Sequence, residues 1–305
     1  RETVEIREGM AEVEGESYGP DLVCQLDNPH GMVDALSSVR WKRYQDAVIE
    51  ISEHGIVVIL EEFGCLQAKV YLQKELFIKY DYKAQGRPRF GLSLGLLVDC
   101  LSTFSVSGSS IPIEIKYPGP DMQLHIKSAD SPNSCIYAEI RTRIPETISW
   151  DYNFEPAGDT PITVTVKSAA LKEAIEDLEW PGGSIEVRVR PQPASFSLRG
   201  KGHGELEVDF MYSANSDLVL ALNCDHEVAY KYKYKFLRAT TSNLPGSVIR
   251  DNRGSKVSVG RGGMLKVQHL VSVGKALHSH ADAAGFSQPS RIAYIEFFLK
   301  PEDDY

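Results

Sequence analysis

Residues 143–161 read RIPETISWDYNFEPAGDTP. Pro145, Pro156 and Pro161 break helix and strand periodicity alike, because proline fixes φ and lacks the amide donor. Trp150, Tyr152 and Phe154 add large apolar rings to a stretch that also carries Glu146, Asp151 and Glu155. The segment fits neither a helix nor a clean strand, and reads as a connector. The chain on its two sides should then be two versions of one design.

Working outward supports that. After Pro161, Ile162, Val164 and Val166 alternate with Thr163 and Thr165, the period of a half-buried strand. Ser168 is the expected cap of a helix over 169–180, with Leu171, Ala174, Ile175 and Leu178 on one face. Before the connector, Leu22, Cys24 and Leu26 alternate in the same way. Asn28 is the expected cap and Pro29 the first residue of a helix over 29–40, with Met32, Ala35, Leu36 and Val39 on one face. A shift of 139 lays Ala35 on Ala174, Leu36 on Ile175, Val39 on Leu178 and Trp41 on Trp180. A shift of 142 lays Phe90 on Tyr232, Leu92 on Tyr234 and Leu94 on Phe236.

The remaining strands of the first half are expected at 47–52, 56–61, 65–73, 76–82, 111–117, 122–128 and 135–143, with a second helix over 94–104. In the second half they are expected at 185–190, 195–200, 205–212, 218–224, 228–236, 256–260, 264–271 and 291–299. A short helix belongs near 237–243 and a small-residue loop over 272–289. The expected fold is α+β: two tandem domains, 21–143 and 162–302, each of antiparallel sheets with two helices on one face. The connector spans 144–161, and a flexible acidic tail, 1–20, precedes them.

The length of 305 residues suits about two domains, and 42% hydrophobic content supplies their cores. A net charge of -9 excludes a bulk-basic nucleic-acid binder, though not a local basic face. Cys24, Cys65, Cys100, Cys135 and Cys224 form no CxxC pair and read as buried free thiols, which suits a reducing compartment. No apolar run reaches the roughly 18 residues of a membrane span, and no membrane partner is expected. The sequence starts at Arg1 rather than Met, so a preceding segment is expected to have been trimmed.

Several clusters invite chemistry. Glu205, Glu207 and Asp209 share one strand face and read either as a two-metal phosphodiesterase site or as charge protecting an edge strand. His278, His280 and Asp282 read as a zinc site or as an inserted loop. Residues 230–236, YKYKYKF, read as a base-stacking platform or as aromatics buried on one strand face with lysines in solvent. The glycine runs at 200–204 and 260–263 precede no helix, so nucleotide binding is not expected. No catalytic residue, metal or cofactor is assigned.

The element order, given twice and joined by a long connector, resembles the eukaryotic sliding clamps, the class of proliferating cell nuclear antigen. Within that class it is most similar to the Rad-one branch of the nine-one-one DNA-damage checkpoint clamp. The resemblance rests on 22–28, on AKVYLQKELF at 68–77, on LVDCLS at 97–102, on Ser216-Asp217-Leu218 leading to Cys224, and on the closing YIEF strand at 294–297. It covers roughly residues 20–302.

It implies a non-catalytic ring subunit. Three chains close head to tail, with sheets outside and helices around a hole that holds double-stranded DNA. The partners implied are a Rad-nine-like and a Hus-one-like subunit, a clamp loader, and checkpoint and repair proteins, in the nucleus. A homotrimeric replication clamp and a metal-dependent 3'-5' exonuclease are the alternatives. The implied DNA-facing residues are Arg40, Lys42, Lys167, Lys172 and Arg238, competing with Asp34, Asp99, Glu173, Glu176 and Asp177. The implied ring-closing strands carry Cys135, Ile136, Tyr137 and Arg141 on one side, and Glu205, Glu207, Asp209 and Tyr212 on the other. Trp150, Tyr152 and Phe154 either anchor the connector or border a recruitment groove.

Overall fold

The computed structural model describes residues 19–105, 112–128, 136–145, 151–181, 183–250, 253–275 and 290–302. Cys135, Trp150, the His278–Asp282 cluster and all but the end of the acidic segment lie outside them.

The first half runs β1 (Leu22–Leu26), α1 (His30–Ser37), β2 (Asp46–Ser52), β3 (Gly55–Glu62), β4 (Leu66–Gln73), β5 (Lys79–Tyr82), β6 (Arg89–Ser93), α2 (Leu94–Thr103), β7 (Ile113–Tyr117), β8 (Leu124–Ser128) and β9 (Tyr137–Ile140). The second runs β10 (Ile162–Lys167), α3 (Ser168–Asp177), β11 (Ser184–Pro191), β12 (Ala194–Lys201), β13 (Glu205–Met211), β14 (Val219–Asn223), β15 (Val228–Lys233), α4 (Tyr234–Ala239), α5 (Gly246–Arg250), β16 (Gly254–Val259), β17 (Leu265–Lys275) and β18 (Ser290–Leu299).

The repeat holds at the level of pairing. The sheet β5-β1-β7-β8-β9 matches β14-β10-β16-β17-β18 strand for strand, and β6-β2-β3-β4 matches β15-β11-β12-β13. One joint breaks the symmetry: β18 pairs with β4, from Tyr294↔Tyr71 to Leu299↔Leu66, and fuses two of these sheets into one of nine strands. The β4 and β18 side chains Leu66, Ala68, Val70, Ile295, Phe297 and Leu299 are buried there. Each fully buried Leu, Val or Phe contributes about 1.5–3 kcal/mol.

Helix burial follows the sequence period. Met32, Ala35 and Leu36 of α1 are buried, and so are Leu171, Ala174 and Ile175 of α3, at the expected shift of 139. The ends differ from expectation. α1 begins at His30, whose N–H donates to Asn28 Oδ1 at 2.8 Å, with Pro29 between them. Ser168 is not a cap but the first helical residue, because β10 passes directly into α3. Its Oγ donates to the Arg253 carbonyl at 2.8 Å.

Other boundaries also move. The strand expected at 76–82 opens with a 3-10 turn, Lys74–Leu76, and pairs only from Lys79. The strand expected over 135–143 is described as Tyr137–Ile140, with Arg143 bridged separately to Gly91. The expected loop at 272 starts later, since β17 continues to Lys275 past an irregularity between Ser272 and Gly274. The YKYKYKF run is a strand only to Lys233, and α4 starts at Tyr234. That repeats the passage from β6 into α2, so the shift here is 140 rather than 142. The described cysteines are free thiols, but only Cys24 is buried; Cys65, Cys100 and Cys224 are half-buried.

Candidate ring edges and basic groove

The repeat makes β13 the counterpart of β4, and β9 the counterpart of β18. β4 and β18 are joined inside the chain, whereas among the described residues β13 and β9 end their sheets. On β13, the Tyr212 N–H donates to the Ala194 carbonyl at 2.9 Å. Antiparallel alternation then turns the main-chain groups of Glu205, Glu207, Asp209 and Met211 outward, away from β12. On β9, the Ser128 N–H donates to the Ile136 carbonyl, which turns Tyr137 and Glu139 outward. Both edges expose large apolar groups: Tyr137 at 51%, Met211 at 50% and Tyr212 at 43%. Arg141 is exposed just past β9, whereas Arg143 is ion-paired to Asp46 within the chain.

The three β13 carboxylates face solvent, but arginines of the neighbouring strands already hold them. Arg199 binds Glu205 and approaches Glu207 within 3.9 Å, and Arg190 lies 3.2 Å from Asp209. Guanidinium groups stand where a bridging cation would sit, so this row reads as an edge-strand charge ladder.

Of the expected DNA-facing residues, Arg40, Lys42 and Arg238 border one groove of about 910 Å³, together with Arg43 and Lys235. It lies between the segment that follows α1, residues 40–43, and α4, and Asn243 Nδ2 ties the halves by donating to the Arg40 carbonyl at 2.6 Å. Lys172 lies beside it, donating to the Ser242 carbonyl at 3.2 Å. Lys167 ends β10 and does not line the groove. Four of the five cations have a carboxylate partner: Arg40–Asp99 at 3.1 Å, Lys42–Glu62 at 2.7 Å, Lys172–Glu176 at 2.5 Å and Arg238–Glu179 at 2.6 Å.

Sequence reading missed Lys235 and Phe63. Lys235 was expected on the solvent face of a strand, and a helix starting at Tyr234 brings it to the groove. Phe63, 72% exposed with φ 51°, sits at the β3–β4 turn with Lys42 Nζ 4.9 Å and Lys235 Nζ 5.3 Å from its ring centre. A phenylalanine at positive φ between strands was legible only as a turn.

The connector crosses the outer face of the nine-stranded sheet. Tyr152 is 5% exposed; its Oη donates to Glu61 at 3.1 Å, and Lys300 Nζ lies 5.0 Å from its ring centre. Burial, with the Glu61 carboxylate beside it, pushes the Tyr152 phenol up, so it remains a donor. Phe154 is half-buried with Lys266 Nζ 4.6 Å from its ring centre, and Pro156 bridges to Gly260. Tyr152 is therefore an anchor.

A model of the family described as repair protein Rad1/Rec1/Rad17 matches residues 21–271. The cell cycle checkpoint protein RAD1 of Mus musculus is 25% identical over 172 residues, 54% of this chain and 58% of that protein. The DNA repair protein Rad1 of Drosophila melanogaster is 22% identical over 173 residues, 56% of this chain and 61% of that protein. The matched stretches thus span about three-fifths of these relatives. Among solved structures, PCNA from Thermococcus kodakaraensis superposes with a TM-score of 0.67 at 13% identity, over 92% of this chain and all of that one. That likeness establishes the sliding-clamp fold.

Proposed function

This chain belongs to the Rad1/Rec1/Rad17 repair-protein family, and from that premise we propose that it is a non-catalytic subunit of a heterotrimeric DNA sliding clamp. The ring encircles double-stranded DNA without reading sequence, and recruits checkpoint and repair proteins in the nucleus. Its partners are two related clamp subunits, Rad-nine-like and Hus-one-like, and a clamp loader. The observation that carries the reading is the pair of free edges, β13 and β9, whose counterparts β4 and β18 are already joined. Repeating that joint between chains closes a ring head to tail, through heterologous contacts that use a different surface on each side. Co-expression with candidate clamp relatives tests it. A 1:1:1 complex is the expected result, and a chain that joins no relative through either edge overturns the reading.

Duplex DNA is expected to bind the isolated chain weakly, because phosphates must displace carboxylates from Arg40 and Arg238. Asp99→Asn with Glu179→Gln frees both cations. Fluorescence anisotropy over a salt series should show roughly tenfold tighter binding at low salt, and a salt slope steeper by about two. An unchanged slope would place DNA elsewhere.

A further inference from the structure

The internal joint is a template for the register of the external one. In it, the residues whose main-chain groups face across the seam are Phe298↔Gln67, Glu296↔Lys69 and Tyr294↔Tyr71. Their counterparts follow from matching core residues. Leu72, Val70 and Ala68 pair with Ile56, Val58 and Leu60, as Phe210, Val208 and Leu206 pair with Phe196, Leu198 and Gly200. Gln67 therefore corresponds to Glu205 and Lys69 to Glu207. Likewise Leu299 and Phe297 pair with Leu265 and Val267, as Ile140 and Ala138 pair with Leu124 and Ile126. Phe298 therefore corresponds to Glu139 and Glu296 to Tyr137.

Transposed to two copies of this chain, the register sets Glu139 of one directly opposite Glu205 of the next, and Tyr137 opposite Glu207. At this position the internal joint sets Phe298 opposite Gln67, with no charge on either side, whereas the self-joint has two carboxylates. Arg199 does not cancel this. Arg199 and Lys201 both ion-pair with Glu205, but both belong to β12, the strand behind it, so an incoming strand meets the Glu205 carboxylate before either cation. His125 Nε2 lies 3.7 Å from Glu139 in the same way, on the β8 side.

We infer that Glu139 and Glu205 exclude self-pairing, and that the related chain docking on β13 carries a lysine or arginine in place of Glu139, opposite Glu205. This rests on the ring reading above and adds which chain is refused, and by what. Like charges directly opposite weaken a strand pair severalfold, and three such contacts in a ring multiply to roughly a hundredfold.

The test is sedimentation of the purified chain alone and of Glu139→Lys. The original chain should stay monomeric at micromolar concentration. Glu139→Lys should self-associate roughly tenfold more tightly per contact. Adding Glu207→Pro, which removes an outward amide of β13, should abolish that gain. A self-ring of the original chain overturns the inference, as does a Glu139→Lys chain that stays monomeric while the original still joins its relatives. Self-association that survives Glu207→Pro instead shows that β13 is not the docking edge, and counts against the ring reading itself.

Discussion

Glu207→Pro is expected to leave this chain folded and to remove it from a ring. The Glu207 amide points away from β12, so proline there costs no ladder bond inside the sheet. Across the free edge it deletes a donor and sets a ring carbon against the incoming strand. The loss of one or two main-chain hydrogen bonds, with that clash, should weaken assembly by roughly a hundredfold. Val208→Pro is the contrasting control. Its amide faces β12, so it should cost about 3 kcal/mol of stability and unfold the edge. Thermal melts separate the two variants, and size-exclusion with co-expressed relatives reads the assembly. Normal ring formation by Glu207→Pro would remove β13 from the interface.

The second large effect is on stability against pH. His269 on β17 is buried, with Nε2 donating to the Thr240 carbonyl at 2.8 Å and Nδ1 accepting from Ser255 Oγ at 2.8 Å. Its ring meets Phe297 edge-on at 5.9 Å. Burial pushes the imidazole down to about 4, with the Thr240 carbonyl opposing only in part. The folded chain therefore keeps His269 neutral at pH values where the unfolded chain, titrating near 6.5, takes up a proton. The group leaves stability unchanged above pH 6.5. It removes about 1.4 kcal/mol per pH unit below that, and roughly 3 kcal/mol in all by pH 4. Urea unfolding from pH 7 to 5 isolates the effect before most carboxylates titrate. His269→Gln should lower stability at pH 7 and flatten the slope. An equal slope in the variant would assign the loss to other groups.

The parts of the fold legible beforehand were those with local periodicity. Leu22, Cys24 and Leu26 announce a strand by alternation, and Leu171, Ala174 and Ile175 announce a helix by their 3–4 spacing. The α4 start was illegible because YKYKYKF continues strand alternation through Tyr234; only the first half, where Ser93 gives way to Leu94, showed where the strand must end. The β4–β18 joint was hidden for a different reason. It links Leu66 to Leu299, and no local pattern specifies a partner so far along the chain. At the candidate site, the basic residues were visible but not their neutralisation. Arg40 meets Asp99, and Arg238 meets Glu179, 59 residues apart in each case.

The β4–β18 joint also sets a timetable. A ribosome finishes β4 at Gln73, but its partner is complete only at Leu299. Until then the first half carries an unpaired edge between Leu66 and Tyr71, an open template for any other strand nearby. Vectorial synthesis cannot finish the halves one after the other: the first sheet waits for the last strand, and the nascent chain is most exposed to mispairing just before its end emerges.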